Sequence, residues 1–167
     1  MAVNYNPSSV TSGLVCALDA ADKISVSGST TWTDLSGNSN DGAITNATIN
    51  TESGGCFDFD GSGDYITIGD LGTNYPDWTV SCWWGSDTTS ENTMFHLSSN
   101  KPQGFTVWSS ANMAYYVTKS GVATHTATSY TWSTGRWYHL TLNHTSSTNV
   151  MLTYIDGVQV DSDTLDN

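Results

Sequence analysis

The residues with the most chemical character are the carboxylates of DFDGSGD, residues 58–64. Asp58, Asp60 and Asp64, with Asp70 nearby, match the outline of a calcium loop, because calcium needs several carboxylate and carbonyl oxygens around one point. An EF-hand would add flanking helices and a bidentate glutamate at the end of its loop, and neither is present. Two readings stand. In one, the stretch is a solvated turn of a hairpin, with Asp58 and Asp60 on the face opposite Phe57 and Phe59. In the other, Asp58, Asp60 and Asp64 hold Ca2+, the one cofactor to expect, and not as a requirement. Hydrolysis of a polysaccharide would need two positioned carboxylates. The only glutamates, Glu52 and Glu91, sit in polar, loop-like surroundings, so no enzyme activity is expected. His96, His125, His139 and His144 are scattered over separate expected strands without metal-ligand spacing. Neither a nucleophile elbow nor a phosphate-binding glycine loop occurs.

The aromatic residues are the remaining chemical signal. Trp83, Trp84, Trp108, Tyr115, Tyr116, Trp132 and Trp137 could pave a carbohydrate surface, since the C–H faces of sugars stack on rings. Taken singly, each is better explained as core. Tyr130 and Trp132 lie in the polar run SYTWSTG and are the best candidates for exposed, ligand-binding rings.

The elements that would carry these residues are strands. In Arg136–His144, Tyr138, Leu140 and Leu142 alternate with His139, Thr141 and Asn143, the period of a strand with one buried face. Val150–Ile155 is a second run of β-formers. Asp156-Gly157 then separates it from Val158–Val160, and an Asp-Gly pair between apolar runs signals a type I′ hairpin. Upstream, GLVCALDA (residues 13–20) reads as a first strand and Asp41–Ala47 as a short one. Gly54–Gly69 reads as a hairpin turning at Gly61-Ser62-Gly63, and WTVSCWW (residues 78–84) as a strong strand. Further strands are expected at Asn92–Ser98, Gly104–Trp108, Asn112–Thr118 and Val122–Thr128. Residues 22–40 form a long polar connection in which Trp32 and Leu35 should dock on the sandwich. Helix is expected only as an odd turn near Leu35 or Gly69–Asn74. Residues 1–11 read as an N-terminal lead and residues 12–167 as one β-sandwich domain.

Composition narrows the partners. Of 167 residues, 16 are acidic and 4 basic, giving a net charge of −12. The basic residues form no cluster, so neither nucleic acid nor an anionic membrane is expected as a partner. Cys16, Cys56 and Cys82 show no zinc spacing, and an odd number argues against a disulfide framework. The N-terminal residues carry no basic and apolar leader pattern, so synthesis in a cytoplasm is expected.

GLVCALDAAD, TTWTDLSGNSNDGAI, GGCFDFDGSGDYITIG, WTVSCWW, GRWYHLTLNH and MLTYIDGVQV follow one another in the order of a laminin-G-like, concanavalin A-like domain. The chain resembles the variant found in phage and other viral structural proteins. The resemblance implies an all-β, two-sheet antiparallel jelly-roll sandwich. It also implies a non-enzymatic structural protein at the virion surface, a capsid decoration or tail-fibre component, in contact with other virion proteins or copies of itself. The alternative is a carbohydrate-binding module or lectin for host attachment to surface glycans. Members of the family usually continue past the final hairpin, so the sandwich edge after Val160 is expected to be completed differently or by another subunit in an oligomer.

Overall fold

The computed structural model describes residues 12–51, 54–71, 76–88, 92–96, 104–109, 112–119, 122–128 and 130–164. Contacts divide the chain into two compact units, Met1–Asn74 and Tyr75–Asn167. No α-helix occurs among the described residues, and every strand pairing is antiparallel. The all-β expectation therefore stands.

In the first unit, β1 (Thr31–Trp32), β2 (Gly42–Thr45) and β5 (Tyr65–Ile68) form one sheet in the order β1-β2-β5. A separate ribbon pairs β3 (Thr48–Asn50) with β4 (Cys56–Asp58). The hairpin expected over Gly54–Gly69 does not form, because β4 and β5 enter different sheets. Residues 59–64 carry the chain from one to the other. Gly61 and Gly63 take positive φ of 81° and 80°, a region that glycine reaches without steric cost. Local alternation shows that two strands flank a turn; it does not say that they pair with each other.

The strand expected over residues 13–20 is also corrected. Residues 14–19 join no ladder. Their backbone is held by the connection that follows, largely through side chains. The Asp34 carboxylate accepts the Ala17 N–H at 2.8 Å, and the Leu35 N–H bonds the Ala17 carbonyl at 2.8 Å. Asn40 Nδ2 donates to the Val15 carbonyl at 2.7 Å, and Asn38 Nδ2 donates to the Leu14 carbonyl at 2.9 Å. Backbone groups need partners, and short polar side chains supply them here in place of a neighbouring strand. Asp34 is buried and accepts three further bonds, from the Ser36 hydroxyl and from the N–H groups of Ser36 and Asn40. Burial pushes its carboxyl up, but those four donors outweigh burial and hold it at about 2. Trp32 does pack, its ring centroid 4.7 Å from that of Phe57, whereas Leu35 stays 41% exposed in a turn.

In the second unit, β6 (Trp78–Trp84), β11 (Tyr138–Thr145), β12 (Val150–Ile155) and β13 (Val158–Thr164) form a sheet in the order β13-β12-β11-β6. A second sheet has the order β10-β9-β8-β7, from β7 (Asn92–His96), β8 (Gly104–Ser109), β9 (Asn112–Lys119) and β10 (Val122–Thr128). Leu140, Leu142, Met151 and Ile155 project from the first sheet into a core with Tyr138 and Trp132. Met94 and Phe95 of β7 pack against that core, which makes the unit a two-layer arrangement. Asp156 and Gly157 take φ of 52° and 77°, so the turn between β12 and β13 is the I′ type that the Asp-Gly pair predicts.

Candidate functional site

Trp132 is 3% exposed and lies in the core, its ring 5.0 Å from Trp84 in an edge-on contact. Tyr130 is half-buried against the same core, 6.2 Å from the Tyr138 ring. The expectation that Tyr130 and Trp132 are the exposed ligand-binding rings is corrected. A polar run of neighbours does not keep a ring in water when the chain folds back over a core. The Tyr138 hydroxyl accepts the Ser133 N–H at 2.7 Å and fastens this segment down.

Asp58, Asp60 and Asp64 do not converge either. The Asp64 carboxylate accepts the Asp60 N–H at 2.6 Å, Asp60 accepts the Ser62 N–H at 2.7 Å, and Asp58 accepts from Asn50 Nδ2 at 3.0 Å. The Asp60–Ser62 bond is an Asx turn, the Asp64 bond closes the loop onto Asp60, and the Asp58 bond joins β3 to β4; all three shape the corner between sheets. Among the described residues, no group of three or more His, Cys, Asp or Glu is placed to hold a metal ion.

The rings that do face water come from the alternation of β6 and β11. Burial of Tyr138, Leu140 and Leu142 turns His139, Thr141 and Asn143 to the other face of the sheet, and the cross-strand partners of those three are Trp83, Ser81 and Thr79. Trp83 is 67% exposed. Its ring lies 5.0 Å from the His139 ring, and His139 Nε2 is 2.8 Å from Ser81 Oγ. Asn143 Nδ2 donates to Thr79 Oγ1 at 2.8 Å, and Tyr154 pairs with Thr141 from the other side.

Trp137 extends this face. Gly85 follows Trp83 by two residues, so a Cβ there would point to the same side of the sheet, and it would meet the Trp137 ring at 3.4 Å. Trp137 is 40% exposed. The two indoles and the His139 ring thus form an aromatic patch, bordered by the hydroxyls of Ser81, Thr141 and Thr79. Gly85 directly follows the strand WTVSCWW at a point of close approach, and that glycine was the available sequence signal. The side chains of Trp108, Tyr115, Tyr116, His96 and His125 lie outside those described, as do Glu52 and Glu91.

Asp156 sets the position of the patch. It exchanges bonds with His139: its N–H donates to the His139 carbonyl at 2.8 Å, and its carboxylate accepts the His139 N–H at 2.9 Å. The carboxylate also pairs with Arg136, whose guanidinium lies 4.6 Å over the Tyr138 ring. At the opposite end of β11, His144 Nδ1 sits 2.8 Å from the Pro76 carbonyl, which can only accept, so that nitrogen carries the proton. Burial pushes the Cys82 thiol up to about 11, and burial with the charges of Asp34 and Asp41 does the same for Cys16. Neither is a thiolate nucleophile near neutrality.

These features define an antiparallel β-sandwich protein with an open aromatic sheet face. Residues 60–167 match the laminin G family described as the concanavalin A-like lectin/glucanases superfamily, and the chain belongs to that family. The solved S-layer domain-containing protein from Clostridium thermocellum is similar in fold, with a TM-score of 0.56 at 22% identity over 89% of this chain and 71% of that one. A structure from Bacteroides ovatus titled "putative carbohydrate binding protein" aligns with a TM-score of 0.47 at 13% identity. That alignment covers 74% of this chain and 31% of that one. No curated protein matches the chain.

Proposed function

We propose that the chain is a non-enzymatic attachment module at the surface of a viral particle, and that it binds neutral glycan through the Trp83 face. The observation that carries the glycan reading is Trp83 itself. A 67% exposed indole on a sheet face serves no packing purpose. It lies beside a second exposed indole and a row of hydroxyls, the chemistry that grips a sugar ring by its C–H face and its hydroxyl groups. Net charge of −12 repels acidic polysaccharide and leaves neutral glycans as the compatible class. The viral setting rests on the order of sequence motifs. The absence of catalysis is supported by glutamate poverty and by the commitment of the buried Asp34 carboxylate to four hydrogen bonds.

Glycan-array screening followed by titration tests the reading. Saturable binding to a neutral oligosaccharide, lost in Trp83→Ala with folding intact, is the expected result. Binding that survives Trp83→Ala and Trp137→Ala together would remove this face from the proposal. A second reading, a structural component held by other virion proteins or by copies of itself, draws on β6 and β13. These end their sheet among the described residues, and each leaves one side without a ladder partner there. A discrete oligomer in sedimentation velocity supports that reading; a monomer at all concentrations weighs against self-assembly.

A further inference from the structure

Gly85 follows the last residue of β6, and the two chains stay side by side past the end of the ladder. Tyr138 pairs with Trp84, and beyond that pair the Gly135 N–H donates to the Ser86 carbonyl at 3.0 Å. This register sets Trp137 across from Gly85. A side chain at position 85 would need space that the Trp137 indole uses. A Cβ there would lie 3.4 and 3.5 Å from Cδ2 and Cε3 of the ring, and 3.2 Å from the Arg136 carbonyl. Trp137 thus leans from the β11 side across to β6 and fills the place that glycine leaves open.

That placement makes a row. Positions 79, 81, 83 and 85 point to one side, since alternate residues of an extended chain share a face. Thr79 and Ser81 present hydroxyls, Trp83 presents its own indole, and position 85 carries the indole of Trp137. Same-face positions are about 7 Å apart, so the row runs for roughly 20 Å. Residues of β11 brace it at two points. The His139 ring lies 5.0 Å from the Trp83 ring, and Asn143 Nδ2 donates to Thr79 Oγ1 at 2.8 Å. Thr79, Ser81, Trp83 and Trp137 are all exposed, so the row is open to a ligand along its length.

An open row along one strand suits a ligand held by its side. A single terminal sugar is better gripped in a concave site that buries most of its surface. A chain of equatorially linked sugars instead forms a flat ribbon. It offers C–H faces to indoles and hydroxyl groups to hydroxyl partners, in the order that Trp137, Trp83, Ser81 and Thr79 present. Building on the Trp83 reading above, we propose that the row takes an internal stretch of a neutral, equatorially linked polysaccharide laid along β6. Gly85 is the positioning residue that lets the second indole into the row.

The test is isothermal titration of the whole chain with cello- and manno-oligosaccharides, from the monosaccharide to the hexasaccharide. Maltohexaose, a neutral chain that coils, is the control. Affinity should climb with length as far as the tetrasaccharide in at least one ribbon series, and maltohexaose should bind more weakly than that hexasaccharide. Gly85→Val should drive Trp137 from its place and lower hexasaccharide affinity by roughly three- to tenfold, the worth of one aromatic contact. Gly85→Ala, whose Cβ only touches the ring, should do less. In a Trp137→Ala background Gly85→Val should have no further effect, an outcome that a general folding defect would not give. Should Gly85→Val fail to fold, Trp137→Ala alone must lower hexasaccharide affinity more than disaccharide affinity. Affinity that stops rising at the disaccharide, equal binding of maltohexaose, or a Gly85→Val effect that persists without Trp137 overturns the inference and leaves the Trp83 reading standing. Absence of binding by both ribbon series also overturns it, and the glycan reading falls as well only if array screening finds no neutral ligand.

Discussion

Asp34 shows how one side chain takes the place of a strand pairing. It is buried, yet it is held ionised near 2 because four donors converge on it. Its folded value lies below the ordinary 3.8, so its contribution is complete above that value and is lost as pH falls through about 2. Asp34→Asn turns an acceptor group partly into a donor facing other donors. It should cost about 2–4 kcal/mol at neutral pH, by the usual worth of charge-assisted bonds and the penalty for unmatched buried groups. Urea titrations of both proteins down the acid range check the sign: the gap should narrow between pH 4 and pH 2, roughly, as the parent carboxyl protonates. Residues 13–20 look like a strand because Leu14, Cys16 and Leu18 alternate, and they are indeed half-buried. What alternation cannot reveal is that polar side chains from Asp34 to Asn40 do the work of a neighbouring strand. Trp132 and Trp83 make the same point in reverse, since the ring with polar neighbours is buried and the ring in the apolar run WTVSCWW is open. Trp132→Ala should therefore cost about 3–5 kcal/mol. Trp83→Ala should stay within about 0.5 kcal/mol, typical of an exposed site. Denaturation midpoints of the two variants decide it.

Among the elements, those defined by local signals were the legible ones. β6 and β12 fall where their hydrophobic runs lie, β10 matches the expected Val122–Thr128 through its β-branched residues, and the Asp156-Gly157 turn sits between β12 and β13 as its residue types demand. β13 runs on to Thr164, beyond Val160, because the ladder with β12 continues through polar residues that carry no hydrophobic signal. The Gly54–Gly69 segment misleads because the partner of each strand lies elsewhere in the chain: β3 for β4 and β2 for β5. Asp156 ties three elements together, through its own left-handed backbone, its bond to the His139 N–H and its pair with Arg136. The ion pair is exposed and contributes little. The hydrogen bond and the left-handed position matter more. Asp156→Ala should cost about 1–2 kcal/mol, and Asp156→Asn under about 1 kcal/mol, because asparagine keeps an acceptor and tolerates positive φ. Loss of His139 alignment should also weaken glycan binding in Asp156→Ala, so titration on a folded sample separates positioning from stability.

For the whole molecule, order of motifs proved more informative than any single one. Six segments in sequence pointed to the concanavalin A-like class, and the family match over residues 60–167 agrees. Net charge acts at this scale too, and it separates the ligands. With a net charge of −12 and pI about 4.1, the protein as a whole is strongly anionic at neutral pH. Stacking of a neutral sugar on Trp83 and Trp137 involves no ion, so its affinity should change little as salt rises from about 50 mM to about 500 mM. An acidic glycan of similar ring geometry should bind more weakly at the low end and gain affinity as screening shortens the range of repulsion. Titrations of both ligands across that range test the argument. Affinity for the acidic glycan that falls with salt would mean a basic recognition element, and the exposed Arg136 beside Trp137 is the candidate. Parallel curves for the two would mean that the global field does not reach the binding face.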